Sequence, residues 1–143
     1  RPSLAVFPFD NMSADSDQEV LADGIVEDVI TELSKFRTLK VIARNSTFAY
    51  KGLAADVRKI GEELGARYMV EGSVRRSDST FRISVQLVDV DTSLDVWSRS
   101  HEVSLENEFA VQKRVAAEVA RDTERTFLPD EDETGRQMTL EYD

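Results

Sequence analysis

Tyr68-Met69-Val70-Glu71-Gly72-Ser73-Val74, followed by Phe81-Arg82-Ile83-Ser84-Val85-Gln86-Leu87 and then Leu94 to Val103, are the stretches that decide the fold. In the first, Tyr68, Val70, Gly72 and Val74 alternate with Met69, Glu71 and Ser73. In the second, Phe81, Ile83, Val85 and Leu87 alternate with Arg82, Ser84 and Gln86. A period of two belongs to strands whose faces meet different surroundings. The polar turns between them, Arg75 to Thr80 and Asp89 to Ser93, are too short for a crossover, so the three strands form an antiparallel meander.

Upstream, strands alternate with helices. Leu4-Ala5-Val6-Phe7-Pro8-Phe9, closed by Asp10-Asn11, reads as a buried strand with Pro8 near its end. Residues 11–18 read as a loop. Leu21, Ile25, Val29, Leu33 and Phe36 then recur at helical spacing between Gln18 and Phe36. Gly24 interrupts that helix at a cost of about 1 kcal/mol relative to Ala. Leu39 to Ala43 is a second strand. Arg44-Asn45-Ser46-Thr47 follows as a loop, with Asn45 or Ser46 as the cap of a short turn over Phe48-Ala49-Tyr50. Asp56 caps the next helix, which turns Val57, Ile60 and Leu64 inward and ends at Gly65. After the meander, Leu105, Phe109, Gln112, Ala116, Val119 and Thr123 mark one side of a final helix.

Beyond Phe127 the pattern fails, and Pro129-Asp130-Glu131-Asp132-Glu133 is a charge run. The chain therefore divides into an α/β domain over 1–127 and an acidic tail or linker over 128–143. The order β-α-β-α-β-β-β-α makes the first three strands parallel, and right-handed crossovers place helices on both faces of the sheet.

A chain of 143 residues fits one domain with a core of its own. Its formal net charge of −10 argues against nucleic acid and anionic membrane surfaces as partners. No stretch approaches the ~20 apolar residues of a membrane span. Cysteine is absent, which excludes disulfides and thiolate metal sites. Arg1-Pro2-Ser3-Leu4 shows neither an initiator Met nor a signal-peptide pattern, so the sequence reads as a domain cut from a larger protein.

Reactive chemistry is scarce. There is no G-x-x-x-x-G-K-[ST] and no G-x-G-x-x-G. His101 is the only histidine, too few donors for a zinc site. The acids Asp10, Asp15, Asp17, Glu19 and Asp23 lack the glycine and closing glutamate of a calcium loop. No catalytic residue, metal or cofactor is therefore expected. A Ser46–Lys51 pair is the one nucleophile and base close in sequence, and leaves a hydrolase as an alternative. In open parallel sheets ligands bind beyond the carboxyl ends of the strands, where strand order reverses. Those ends carry Asp10 and Asn11 after the first strand and Arg44, Asn45 and Ser46 after the second, with Tyr50 and Lys51 just downstream. These seven residues are the candidate ligand or partner site, and a small-molecule sensor is the second alternative.

The motifs also resemble a known family. Leu4 to Ser13, Leu21 to Asp28, Val41 to Gly52, Leu64 to Arg75 and Phe109-Ala110-Val111-Gln112 together are similar to the TolB amino-terminal-like domain of bacterial signalling proteins. In that family the domain follows class III adenylate/guanylate cyclase domains or winged-helix domains and precedes tetratricopeptide repeats. The resemblance covers about residues 3–125. It implies a three-layer α/β/α sandwich of anticodon-binding-domain type, with a mixed five-stranded sheet of order 2-1-3-4-5 and strand 4 antiparallel. It also implies a non-catalytic regulatory or protein–protein interaction module of a cyclase-type signalling protein. Its partners would be the neighbouring cyclase and repeat domains of the parent. The expected compartment is the cytoplasm, or the periplasm if the parent is membrane-anchored. An open sheet leaves the second and fifth strands as edges, so a homodimer through the Trp97 strand is also open to it.

Overall fold

The computed structural model describes residues 1–13, 17–53, 56–104 and 107–128. The strands are β1 (Ser3–Val6), β2 (Asp10–Asn11), β3 (Lys40–Val41), β4 (Tyr68–Ser77), β5 (Thr80–Asp89) and β6 (Leu94–Ser104). The helices are α1 (Asp17–Leu33), α2 (Arg44–Phe48), α3 (Val57–Leu64) and α4 (Glu108–Phe127). The sheet runs β3-β1-β4-β5-β6, with β2 beside β4. β1 lies parallel to both β3 and β4, and β5 is antiparallel to β4 and β6. This is the expected order, with the fourth strand of the main path reversed.

The sheet has six strands where five were expected, and Pro8 explains the difference. Leu4 faces Tyr68 while Asp10 faces Ser73, so the register slips by one residue and the chain bulges away from β4. Phe7 N–H still donates to Val70 O at 2.8 Å, and Met12 N–H donates to Val74 O at 2.9 Å. Between them Pro8 has no N–H to offer the ladder. One sequence strand thus becomes β1 and β2.

α1 and α4 cover one face of the sheet. Leu21, Ile25, Val29 and Leu33 of α1 meet Leu4, Val6, Val70, Val74, Phe81, Ile83, Val85 and Leu87 there, all buried. α4 contributes Val111, Val115, Ala116, Val119, Ala120 and Thr123. Of the predicted side of the last helix, Ala116, Val119 and Thr123 are buried as expected, whereas Phe109 is 66% exposed, and Leu105 lies outside the described residues. Gln112 sits at the α1–α4 seam. Its amide donates to Asp28 Oδ2 at 2.9 Å, beside Lys113 at 3.2 Å from the same carboxylate. A Cβ on Gly24 would meet Gln112 Oε1 at 2.3 Å, so the glycine makes room for that hydrogen bond. A bond to a charged acceptor contributes about 1.5–3 kcal/mol, which outweighs the helix cost of one glycine.

α3 covers the other face only in part. Ile60 packs with Ala5, Ala66, Met69 and Val90 in a smaller core. Past Met69 that face of β4 continues with Glu71, Ser73 and Arg75, and β5 presents Arg82, Ser84 and Gln86, all at least partly exposed. The domain is a three-layer sandwich around β1 and β4 and a two-layer one at the meander. Asp56 caps α3 by accepting from Arg58 N–H at 3.0 Å, and Gly65 ends it at φ 71°. The predicted Asn45 or Ser46 cap is corrected: α2 begins at Arg44, its N-cap is Ala43, and no side chain caps it. Asn45 and Ser46 therefore fall inside the first turn with exposed side chains, while buried Thr47 bonds back to Arg44 O at 3.0 Å. Asn107, capping α4 through Ala110 N–H at 3.1 Å, had not been singled out in the sequence.

Candidate functional site

The β1–β2 bulge does more than lengthen the sheet. It lifts Phe7-Pro8-Phe9 to form one wall of a cleft of about 740 Å³. Tyr50 to Leu53, which leave α2, form the opposite wall with Val57 and Ile60 of α3. Glu71, Gly72 and Ser73 of β4 and Gln86 of β5 form the floor. The cleft lies beyond the carboxyl end of β1, where the sheet order reverses, as open parallel sheets favour.

Four of the seven predicted site residues line this cleft: Asp10, Asn11, Tyr50 and Lys51. Arg44, Asn45 and Ser46 do not. Arg44 reaches α1 instead, 2.8 Å from Glu27, and lies over the Phe48 ring at 4.2 Å. Lys51 also turns to α1, bonding Asp23 and Glu19, the latter at 3.0 Å. Glu19, Asp23 and Glu27 recur every four residues on one stripe of α1, so a single helix face takes both predicted cations. The hydrogen bond to Asp23 holds the Lys51 ammonium above its usual range, against a smaller desolvation effect. Lys51 is thus a fixed charge and not a base. Ser46 has no hydrogen bond from its hydroxyl among the described residues, so the geometry gives a Ser46–Lys51 hydrolase no support.

Tyr50 donates to Glu63 Oε2 at 2.7 Å, which raises its phenol above the usual value, and its ring leans on Phe7 at 6.0 Å. The sequence did not single out Glu71, Met12, Leu53 or Gln86. Glu71 is half-buried on the cleft floor. Burial pushes its carboxyl up, the charges of Asp95 and Asp10 add to this, and a hydrogen bond with Gln86 opposes it. Met12 and Leu53 are large apolar side chains left 55% and 61% exposed at the two rims. The available signal was the strand alternation, which puts Glu71 and Ser73 on one face with Met69. The rims carried none, because they come from separate loops.

Among the described residues, no three His, Asp or Glu side chains cluster closely enough to hold a metal ion. His101 is a structural clip: its Nδ1 lies 3.0 Å from Glu118, and Arg99 lies 3.5 Å from Asp122, tying β6 to α4. No helix of the described residues is long and apolar enough to cross a membrane.

Residues 1–118 match the family model of the HilA/YgeH-like transcriptional regulator, second domain, and the chain belongs to that family. Over 115 residues it is 54% identical to a protein of Rhizobium meliloti (strain 1021) named "Putative adenylate cyclase 3". That match covers 80% of this chain and 20% of the relative, so the chain spans about a fifth of it. Among solved structures, lipoprotein GNA1162 from Neisseria meningitidis aligns with a TM-score of 0.60 at 20% identity, over 86% of this chain and 97% of that one. TolB from Acinetobacter baumannii aligns with a TM-score of 0.57 at 19% identity, over 83% of this chain and 26% of that one. At these identities the likeness is one of fold.

Proposed function

We propose that this HilA/YgeH-type second domain is a non-catalytic regulatory module that binds a neighbouring protein segment through its cleft. The parent on this reading is a cytoplasmic adenylate/guanylate cyclase-type signalling protein. The observation that carries the proposal is the 54% identity to a fifth of a cyclase-named protein, within a family defined on transcriptional regulators. A domain attached to outputs of such different kinds transmits a state and does not supply the reaction. The cleft supports this: its one lysine is held by carboxylates, while Met12 and Leu53 offer apolar area at the rims. Exposed apolar side chains beside a cavity mark contact sites.

The test is the full-length protein with Met12→Glu and Leu53→Glu. Cyclic-nucleotide synthesis should change several-fold, with the domain's melting temperature unaltered. Unchanged synthesis would count against docking through the cleft. A small-molecule sensor is the second reading, favoured by a volume within the ~300–1,000 Å³ of ligand pockets. A metabolite and nucleotide screen that raises the melting temperature, and loses that effect on Glu71→Gln, would select it.

A further inference from the structure

The meander face that α3 leaves bare carries a second feature next to the cleft. Ser73, Ser84 and Ser100 stand in register across β4, β5 and β6, one row of hydroxyls on one face. In the next row Arg75 stands directly opposite Arg82. Both arginines are exposed, and together with Met12 these five residues line a depression of about 420 Å³. Glu102 is in register beside Arg82, yet among the described residues no carboxylate lies within ion-pair distance of either guanidinium. None of the three serine hydroxyls hydrogen-bonds within the described protein.

Like charges directly opposite on a sheet repel, with Cβ atoms only about 4.5–5.5 Å apart. In a chain of net charge −10 carboxylates are abundant, yet among the described residues even Glu102, in register with Arg82, forms no ion pair with either arginine. Two arginines in register on one face are close enough for their guanidinium forks to reach one tetrahedral oxyanion, and hydroxyls beside them can supply further donors. We infer that this depression is a binding site for a phosphate group carried by a small ligand, held by Arg75 and Arg82 and received by the serine row. The depression adjoins the cleft and shares Met12 and Ser73 with it, but the inference rests on the arginine pair and not on the proposed function. The acidic surround opposes anions at long range, so binding is weak in free phosphate and sensitive to salt.

The experiment is a titration of the uniformly 15N-labelled chain with inorganic phosphate, followed by amide shifts, against sodium chloride and sodium acetate at the same ionic strength. Saturable shifts at Ser73, Arg75, Arg82, Ser84 and Ser100, seen with phosphate alone, are expected. Arg75→Gln/Arg82→Gln should weaken them at least tenfold. Arg75→Lys/Arg82→Lys keeps the charge without the fork and should weaken them several-fold. If the glutamine pair fails to fold, the lysine pair alone decides. Absence of saturable shifts, an equal response to acetate, or shifts undiminished in a folded double variant would overturn the assignment.

Discussion

Gly72→Ala puts the packing of the cleft floor to a quantitative test. A Cβ there would lie 2.7 Å from the backbone carbonyl oxygen of Ser84 and 2.8 and 2.9 Å from two ring carbons of Phe9. Neither neighbour can retreat. Ser84 sits in an unbroken ladder in which Glu71 faces Gln86, Gly72 faces Val85 and Ser73 faces Ser84. Phe9 is 2% exposed, wedged between sheet and helices. Overpacking of this kind costs about 1–3 kcal/mol. Replacing a strand glycine returns roughly 0.5–1 kcal/mol of chain entropy. From the middle of each range the net is a loss of about 1.3 kcal/mol, which for a domain of this size lowers the melting temperature by about 3–5 °C. Thermal unfolding followed by circular dichroism reads this directly. Phe9→Leu should destabilise the parent chain yet cost less in the Gly72→Ala background, because the ring is one of the two obstructions. An unchanged or higher melting temperature for Gly72→Ala would refute the argument.

Three further outcomes follow from the same geometry. Gly24→Ala should destabilise by about 1 kcal/mol, because the lost Gln112–Asp28 bond outweighs the helix gain, but it should stabilise a Gln112→Ala chain, where only the helix gain remains; urea titrations of the four chains measure the sign change. Glu71 has a folded pKa above its ordinary value of 4.5, so its ionised form costs stability at neutral pH, and that cost fades as pH falls through the folded pKa and past the unfolded one; Glu71→Gln should melt higher at pH 7, with the gap closing below about pH 4. Lys51 has a folded pKa above 10.5, so its ion pairs stabilise below that value and are lost as pH rises through the folded pKa; Lys51→Met should cost less than about 1 kcal/mol at neutral pH, since the group is exposed, and nothing in strong alkali or high salt.

The fold was legible wherever periodicity carried it. The β4–β5 alternation fixed the meander, the four-residue recurrence from Leu21 to Leu33 fixed α1, and Asp56 and Gly65 bracketed α3. The buried face of α4 was harder, because Phe109 and Gln112 fit a helical spacing as well as Val111 and Val115 do. Only packing shows that the aromatic faces out, with Lys113 over its ring at 5.3 Å. Pro8 was read correctly as near a strand end, but the return of the chain to β4 at Asp10 depends on tertiary pairing. At the site, Asp10, Asn11, Tyr50 and Lys51 came from the strand-end rule. Arg44 was lost to Glu27, and Asn45 and Ser46 do not line the cleft, because their α2 turn begins two or three residues earlier than capping chemistry suggested. Acidic residues on a distant helix face leave no local trace in the sequence of a basic loop.

The central claim is that another part of the parent protein occupies the cleft. Amide hydrogen exchange compares it most directly between this domain alone and the full-length protein. Segments 10–13 and 50–53 should exchange several-fold more slowly in the full-length protein, while Glu62 to Arg67 stays the same. Identical exchange at both rims in the two forms would contradict the claim.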